Sequence, residues 1–206
     1  MNLEKLEDAE ANFLAFYPKG FEDEALLPIV KRHNTAKIGE QVQKLFAPEC
    51  FENCESICES FARIVGKSTL ISLFEKPKVR EMIKHLPKED QKKLCTALFE
   101  VLHGNNAKGF EALVALLASY KLAKWSIVTL IPYYYAREQN FFIKPNTTKG
   151  ILNYFEIEHL LYKPRPSYEF YRAYSELLLK MKQHVTPLVG KDNAGFTGFL
   201  MMALPK

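Results

Sequence analysis

The stretch Trp125-Ser126-Ile127-Val128-Thr129-Leu130-Ile131-Pro132-Tyr133-Tyr134-Tyr135 decides the fold class. Its β-branched and aromatic residues would suit a strand. Pro132 argues the other way, because proline has no N–H to give to a ladder and is kept out of central strands. The expectation is a buried helix kinked at Pro132.

On either side of this stretch the apolar residues recur with helical period. Phe51, Cys54, Ile57, Cys58, Phe61, Ile64 and Val65 follow the i, i+3, i+4, i+7 template. Leu94, Ala97, Leu98, Val101 and Leu102 form a second stripe, opened by Pro87 with Glu89 and Asp90 and closed at His103-Gly104. Leu3, Leu6, Phe13 and Phe16 suit an opening helix that Pro18-Lys19-Gly20 stops. Asn34 is the expected cap of a helix running through Phe46, and Ser68 or Thr69 that of one holding Leu70, Ile71 and Phe74. Phe110, Leu113, Val114 and Leu117 mark another helix. Phe141-Phe142-Ile143 should be extended before Lys144-Pro145, and Asn146-Thr147-Thr148 should cap a short helix toward Tyr154. Lys163-Pro164-Arg165-Pro166 reads as a stiff linker, Ser167 as the cap of a long helix, and Asp192 as that of a last apolar segment. The chain is therefore expected to be all-α: a single-domain, multi-helix orthogonal bundle of about eight helices over residues 1–206.

Composition agrees. The 206 residues are 48% hydrophobic and 25% charged, which excludes a disordered tail, a collagen-like fibre and a disulfide-dense miniprotein. No apolar run approaches the roughly 20 residues of a membrane helix, and the charged N-terminus has no apolar signal core. A cytoplasmic protein without membrane partners is expected.

Charge is unevenly placed. Residues 1–119 hold 16 basic and 18 acidic groups, and residues 120–206 hold 12 basic and 6 acidic. Nine of the ten tyrosines and the one tryptophan share the basic part. Cationic and aromatic groups together are what single-stranded nucleic acid needs, charge for phosphates and rings for bases. The plainer reading is a ring-rich core with solvated lysines around it.

Cys50, Cys54 and Cys58 fall at i, i+4 and i+8, one stripe if the helix is continuous. Roughly 11 Å of helix would separate the outer two, too far for one metal ion, so a structural role is expected and neither metal nor cofactor. The five histidines are scattered singly, and Gly66-Lys67-Ser68 lacks the earlier glycine of a phosphate loop.

Charged residues stand beside aromatic ones at Leu73-Phe74-Glu75-Lys76 and at Phe142-Ile143-Lys144-Pro145, where the helical pattern breaks. Such charges either snorkel or pair in a cleft. If the protein has a site, it should lie where these segments meet, with Arg165 and Tyr171 nearby and Glu75 paired to Lys144 or Arg165.

The order of short motifs resembles a family of bacterial proteins of unknown function. The resemblance runs from Phe13-Leu14-Ala15-Phe16-Tyr17-Pro18-Lys19-Gly20-Phe21 through Phe74-Glu75-Lys76, Leu102-His103-Gly104 and Trp125-x-x-x-Thr129. It continues through Phe142-Ile143-Lys144-Pro145-x-x-Thr148 and Arg165-Pro166-x-Tyr168-x-x-Tyr171. It departs from the family at Lys19 for glycine, Asn140 for histidine and Tyr168 for tryptophan. An Asp-x-x-Asp-x-Gln pattern also keeps only its first acid, at Asp192. The resemblance implies no activity and marks positions only. With the local reading it gives the candidate ligand-binding residues Glu75, Lys76, His103, Trp125, Thr129, Lys144, Thr148, Arg165 and Tyr171.

Three functions compete on these grounds. The first is a non-enzymatic binding protein for nucleic acid. The second is a partner protein docking through an apolar C-terminus, Phe196, Phe199, Leu200 and Met201. The third is an enzyme on a small polar substrate, using Glu75, Lys76, His103 and Lys144.

Overall fold

A computed structural model describes residues 1–205, and every regular element among them is helical. In chain order these are α1 (Leu3–Phe16), α2 (Leu27–His33), α3 (Thr35–Leu45), α4 (Cys54–Lys67), α5 (Glu75–Lys84), α6 (Lys88–His103) and α7 (Asn106–Ser119). There follow α8 (Trp125–Val128), α9 (Leu130–Tyr135), α10 (Pro145–Tyr154), α11 (Tyr168–Lys182), α12 (Pro187–Gly190) and α13 (Asn193–Ala203). Among the described residues, eleven of these have six residues or more, against the expected eight or so. None is long and apolar enough to cross a membrane.

The excess arises from breaks that short-range pattern hides. The run from Trp125 is helical and buried as far as Tyr134, with Tyr135 half-buried, but it breaks at Thr129 rather than bending at Pro132. The cause is Pro132 itself: its missing N–H and its ring both act on the carbonyl four residues earlier, that of Val128. The Thr129 hydroxyl holds the joint, donating to the Trp125 carbonyl at 2.7 Å and accepting the Ile143 N–H at 3.2 Å. It thereby ties the joint between α8 and α9 to the extended segment before Lys144 and gives the buried Ile143 N–H its acceptor.

Two expected helical stretches are not helical. Residues 68–74 form turns, so Leu70, Ile71 and Phe74 do not share a helix, and α5 begins only at Glu75 with Pro77 in its first turn. Ser72 secures that start: its carbonyl accepts from Glu75 and Lys76, and its hydroxyl accepts from Phe74 at 3.2 Å. The cysteine stripe is also interrupted. Cys50 lies in a 3-10 turn (Pro48–Glu52), and Asn53 caps α4, its side chain accepting the Ser56 N–H at 3.0 Å. Only Cys54 and Cys58 remain on one helix. Asn34 adopts a left-handed conformation between α2 and α3 and makes no side-chain cap, and α10 begins at Pro145 rather than after Asn146. Ser167 and Asp192 cap α11 and α13 as their spacing predicts.

One apolar cluster runs from Leu6 to Leu200. Its framework is the α6–α7 hairpin, with α4 against α5 and α6, α3 against α9, and α1 against α13. The hairpin closes tightly because Gly109 lets the backbones of α6 and α7 approach where a Cβ would strike Glu100 and Val101. The ends of the chain meet. Phe13 packs edge-on to Phe199 at 5.5 Å, and the Asn2 N–H donates to the Phe155 carbonyl at 2.9 Å.

The core absorbs most residues expected at binding surfaces. Trp125, Tyr133, Tyr134, Tyr171 and Tyr174 are all buried, so these rings pack the interior and offer no platform to a base. Phe196, Phe199 and Leu200 are fully enclosed, leaving Met201 and Met202 as the exposed part of the C-terminal apolar run. Both corrections share one cause: a domain of this size needs large rings to fill the space between short helices.

Candidate functional site

An open cleft of about 510 Å³ lies where four separate segments meet. One wall is the turn from Thr69 to Glu75, and the opposite side is Lys144-Pro145-Asn146. Lys124-Trp125-Ser126 forms the floor, and Tyr162 and Pro164 from the linker close one end.

Local chemistry explains how each segment is held. Ser68 anchors the turn, its hydroxyl 2.9 Å from the buried Tyr134 hydroxyl and accepting the Leu70 N–H at 3.1 Å. Thr69 meets His33 Nδ1 at 2.8 Å. Trp125 is almost wholly enclosed, and its indole N–H donates to the Lys163 carbonyl at 2.8 Å, fixing the linker over the floor. Phe170 and Phe110 pack on the same ring at 5.3 and 6.4 Å.

The electrostatics are one-sided. Lys124 and Lys144 are exposed and form no ion pair among the described residues. Each is the residue immediately before a helix start, α8 and α10, and neither start has a side-chain cap. The uncapped first turn of α10 leaves the backbone N–H groups after Pro145 without side-chain acceptors, and Lys144 sits at the positive end of that helix; α8, a single turn, adds no comparable dipole at Lys124. The one acid on the wall, Glu75, is the first residue of α5, where the helix favours a negative charge. One of its oxygens accepts from the Ser126 hydroxyl at 3.2 Å. His33 feels the same field: burial first, then the charges of Arg32 and Lys144, hold its imidazole below the usual range. Apolar side chains stand beside the cleft, with Leu73 77% and Phe74 84% exposed.

Of the candidate residues, the structure brings Glu75, Trp125 and Lys144 to this one cleft. The expected ion pair is not formed: Glu75 bonds Ser126 rather than Lys144 or Arg165. Lys76 is half-buried on the first turn of α5, next to the wall, and Arg165 is exposed in the linker beside Pro164. Thr129 is buried beneath the floor and positions it. Thr148 is buried on α10 and bonds the Tyr174 hydroxyl.

His103 and Tyr171 belong elsewhere. His103 Nε2 meets the Phe46 carbonyl at 2.9 Å, and its ring lies 5.2–5.5 Å from Phe51, Phe99 and Tyr135. Tyr171 stacks on Phe110 at 5.2 Å, its buried hydroxyl having no partner among the described residues. The same desolvation drives its phenol pKa up.

Sequence reasoning missed Lys124, Ser126, Thr69 and Tyr162. A signal existed for one of them: Lys124 precedes a helical run at the position where Ser, Asp or Asn is expected.

No group of three or more His, Cys, Asp or Glu side chains among the described residues is arranged to hold a metal ion. The chain matches no family model, no curated protein and no solved structure.

Proposed function

We propose that this is a non-enzymatic binding protein whose cleft takes a phosphate-bearing ligand, with single-stranded nucleic acid as the ligand class. The observation that carries the reading is the pair Lys124 and Lys144, exposed cations with no ion pair among the described residues that both line one cleft, Lys144 also preceding the uncapped start of α10. A phosphate there gains two cationic partners and free backbone N–H groups together. Exposed Phe74 and half-buried Tyr162 supply the rings that this ligand class also uses, in place of the buried tyrosines. The cleft volume is within the range of small-ligand sites, enough for a nucleotide unit.

The test is anisotropy of a labelled oligothymidylate titrated with the protein at rising salt. Phosphate contacts make log affinity fall linearly with log salt, with a slope of about −0.7 per contact for single strands. Binding that ignores salt, or its absence at low salt, overturns the reading.

A protein partner is the second reading, favoured by the exposure of Leu73 and Phe74 side by side. It gains if the oligonucleotide does not bind and Phe74→Ser abolishes an association of the full chain seen by light scattering.

A further inference from the structure

The antiparallel packing of α4 on α6 places thiols opposite one another. Two contacts fix the register. Cys58 Sγ donates to the Gln91 carbonyl at 3.7 Å, and Phe51 packs edge-on to Phe99 at 5.4 Å. Moving one turn back from Cys58 reaches Cys54, and one turn on from Gln91 reaches Cys95. The Cys95 thiol also meets the Phe51 carbonyl at 3.6 Å, which brings it to the end of α4 where Cys54 is the first residue. Burial pushes the Cys95 thiol up to about 12, and the neighbouring Cys54 sulfur adds to the rise. Cys54 is half-buried, whereas Cys95 is buried, so Cys54 is the more accessible of the two.

We propose that Cys54 and Cys95 form an oxidative modification site, with Cys54 the entry thiol and Cys95 the resolving thiol for a hydroperoxide. The Cys54 sulfur attacks the peroxide O–O bond. An S–O bond forms, the O–O bond breaks, and water leaves, so sulfur is oxidised to the sulfenic acid and the peroxide is reduced. The Cys95 sulfur then attacks that of Cys54. The S–S bond forms, the S–O bond breaks, and the Cys95 proton departs with the oxygen as a second water. The net change is two thiols and one hydrogen peroxide to one disulfide and two waters. Cys58 is not the partner: it follows Cys54 one turn along the same helix, and its sulfur engages Gln91. Cys50 stands apart, its thiol donating to the Lys44 carbonyl at 3.4 Å.

The experiment uses the full chain treated with hydrogen peroxide, alkylated under denaturing conditions and read by intact mass and peptide mapping. Before alkylation the expected product is about 2 Da lighter, and after it two of the four thiols are blocked and a Cys54–Cys95 cross-linked peptide appears that a reductant removes. The bond closes a long loop, so the oxidised chain should melt roughly 5–10 °C higher than the reduced one. Cys50→Ser and Cys58→Ser should leave the mass loss intact, and Cys54→Ser should remove it. A cross-link mapped to Cys54–Cys58 or Cys50–Cys54 overturns the assignment. So does a Cys54 that goes on to sulfinic acid while Cys95 stays free to alkylate. The mapping is done on the unmodified sequence, so a variant that fails to fold does not decide the result.

Discussion

Replacing Lys124 and Lys144 together by alanine tests the cleft most directly, because the structure separates its effect on binding from any effect on folding. Both side chains are exposed, cap no helix and pair with no acid among the described residues, so their removal strands no buried partner. Stability should change by less than about 0.5 kcal/mol, visible as coincident urea curves. Binding should change steeply. Each lysine that neutralises a phosphate of a single strand contributes about 0.7 to the slope of log affinity against log salt. At about 0.1 M salt that contribution is worth roughly fivefold in affinity, and two lysines acting independently give about 25-fold. The assay is anisotropy of a labelled oligothymidylate between about 50 and about 400 mM salt, where the slope should fall by about 1.4. Lys180→Ala on α11, equally exposed, serves as the control and should leave the slope unchanged. A double variant that keeps the slope of the unmodified protein would show that the strand, if it binds, does so elsewhere.

Three further outcomes are expected. Because Lys144 helps to depress the His33 pKa, Lys144→Ala or a phosphate bound beside Lys144 should raise it, so phosphate should bind more tightly as pH falls through the His33 range. An NMR titration of the His33 ring that does not move in either case refutes the coupling. The depression also means that His33 stays neutral in the fold where the unfolded chain is protonated, so its share of stability is present above the ordinary value of 6.5 and lost as pH falls below it. Gly109→Ala should cost about 1–3 kcal/mol by urea unfolding, since the new methyl would stand 2.7 Å from the Glu100 carbonyl carbon, and an unchanged midpoint would show that α6 and α7 can part freely. Asn53→Ala should cost about 1 kcal/mol by removing the cap of α4, and Asn53→Asp should restore most of it.

The helical class could be read because period and caps act over short distances. Ser167 and Asp192 announce helix starts by residue type alone, though Asn34 does not, and the stripes of α4 and α6 announce their buried faces. Three features were hidden, each for a reason that lies beyond the neighbouring residues. The joint at Thr129 is held by the Ile143 N–H, which arrives from 14 residues away to donate to its hydroxyl. The turn over residues 68–74 depends on Tyr134 holding Ser68. The burial of Trp125 depends on the Lys163 carbonyl, which satisfies the indole N–H and lets the ring serve as core. Composition counts rings and cannot tell an interior ring from an exposed one.

The cleft is harder to read for a related reason. It is made of segments around residues 69–75, 124–126, 144–146 and 162–164; the charged breaks at Glu75 and Lys144 pointed to two of them, and nothing local pointed to 124–126. What the sequence does carry is a broken rule. Five helices, α1, α4, α7, α11 and α13, begin with an Asn, Ser or Asp whose side chain accepts from the first turn. α2, α3, α5, α6 and α12 also begin without a side-chain cap, but only at α8 and α10 does the position hold lysine, which has no acceptor to offer. At α10, long enough to carry a dipole, that placement is unfavourable by some tenths of a kcal/mol. Chance could place one such lysine, but here two flank a single cleft, and one bound anion reverses the sign of both. Local choices that oppose the fold are expected where a ligand completes them, and the proposed ligand, an anion, is the kind that would complete these.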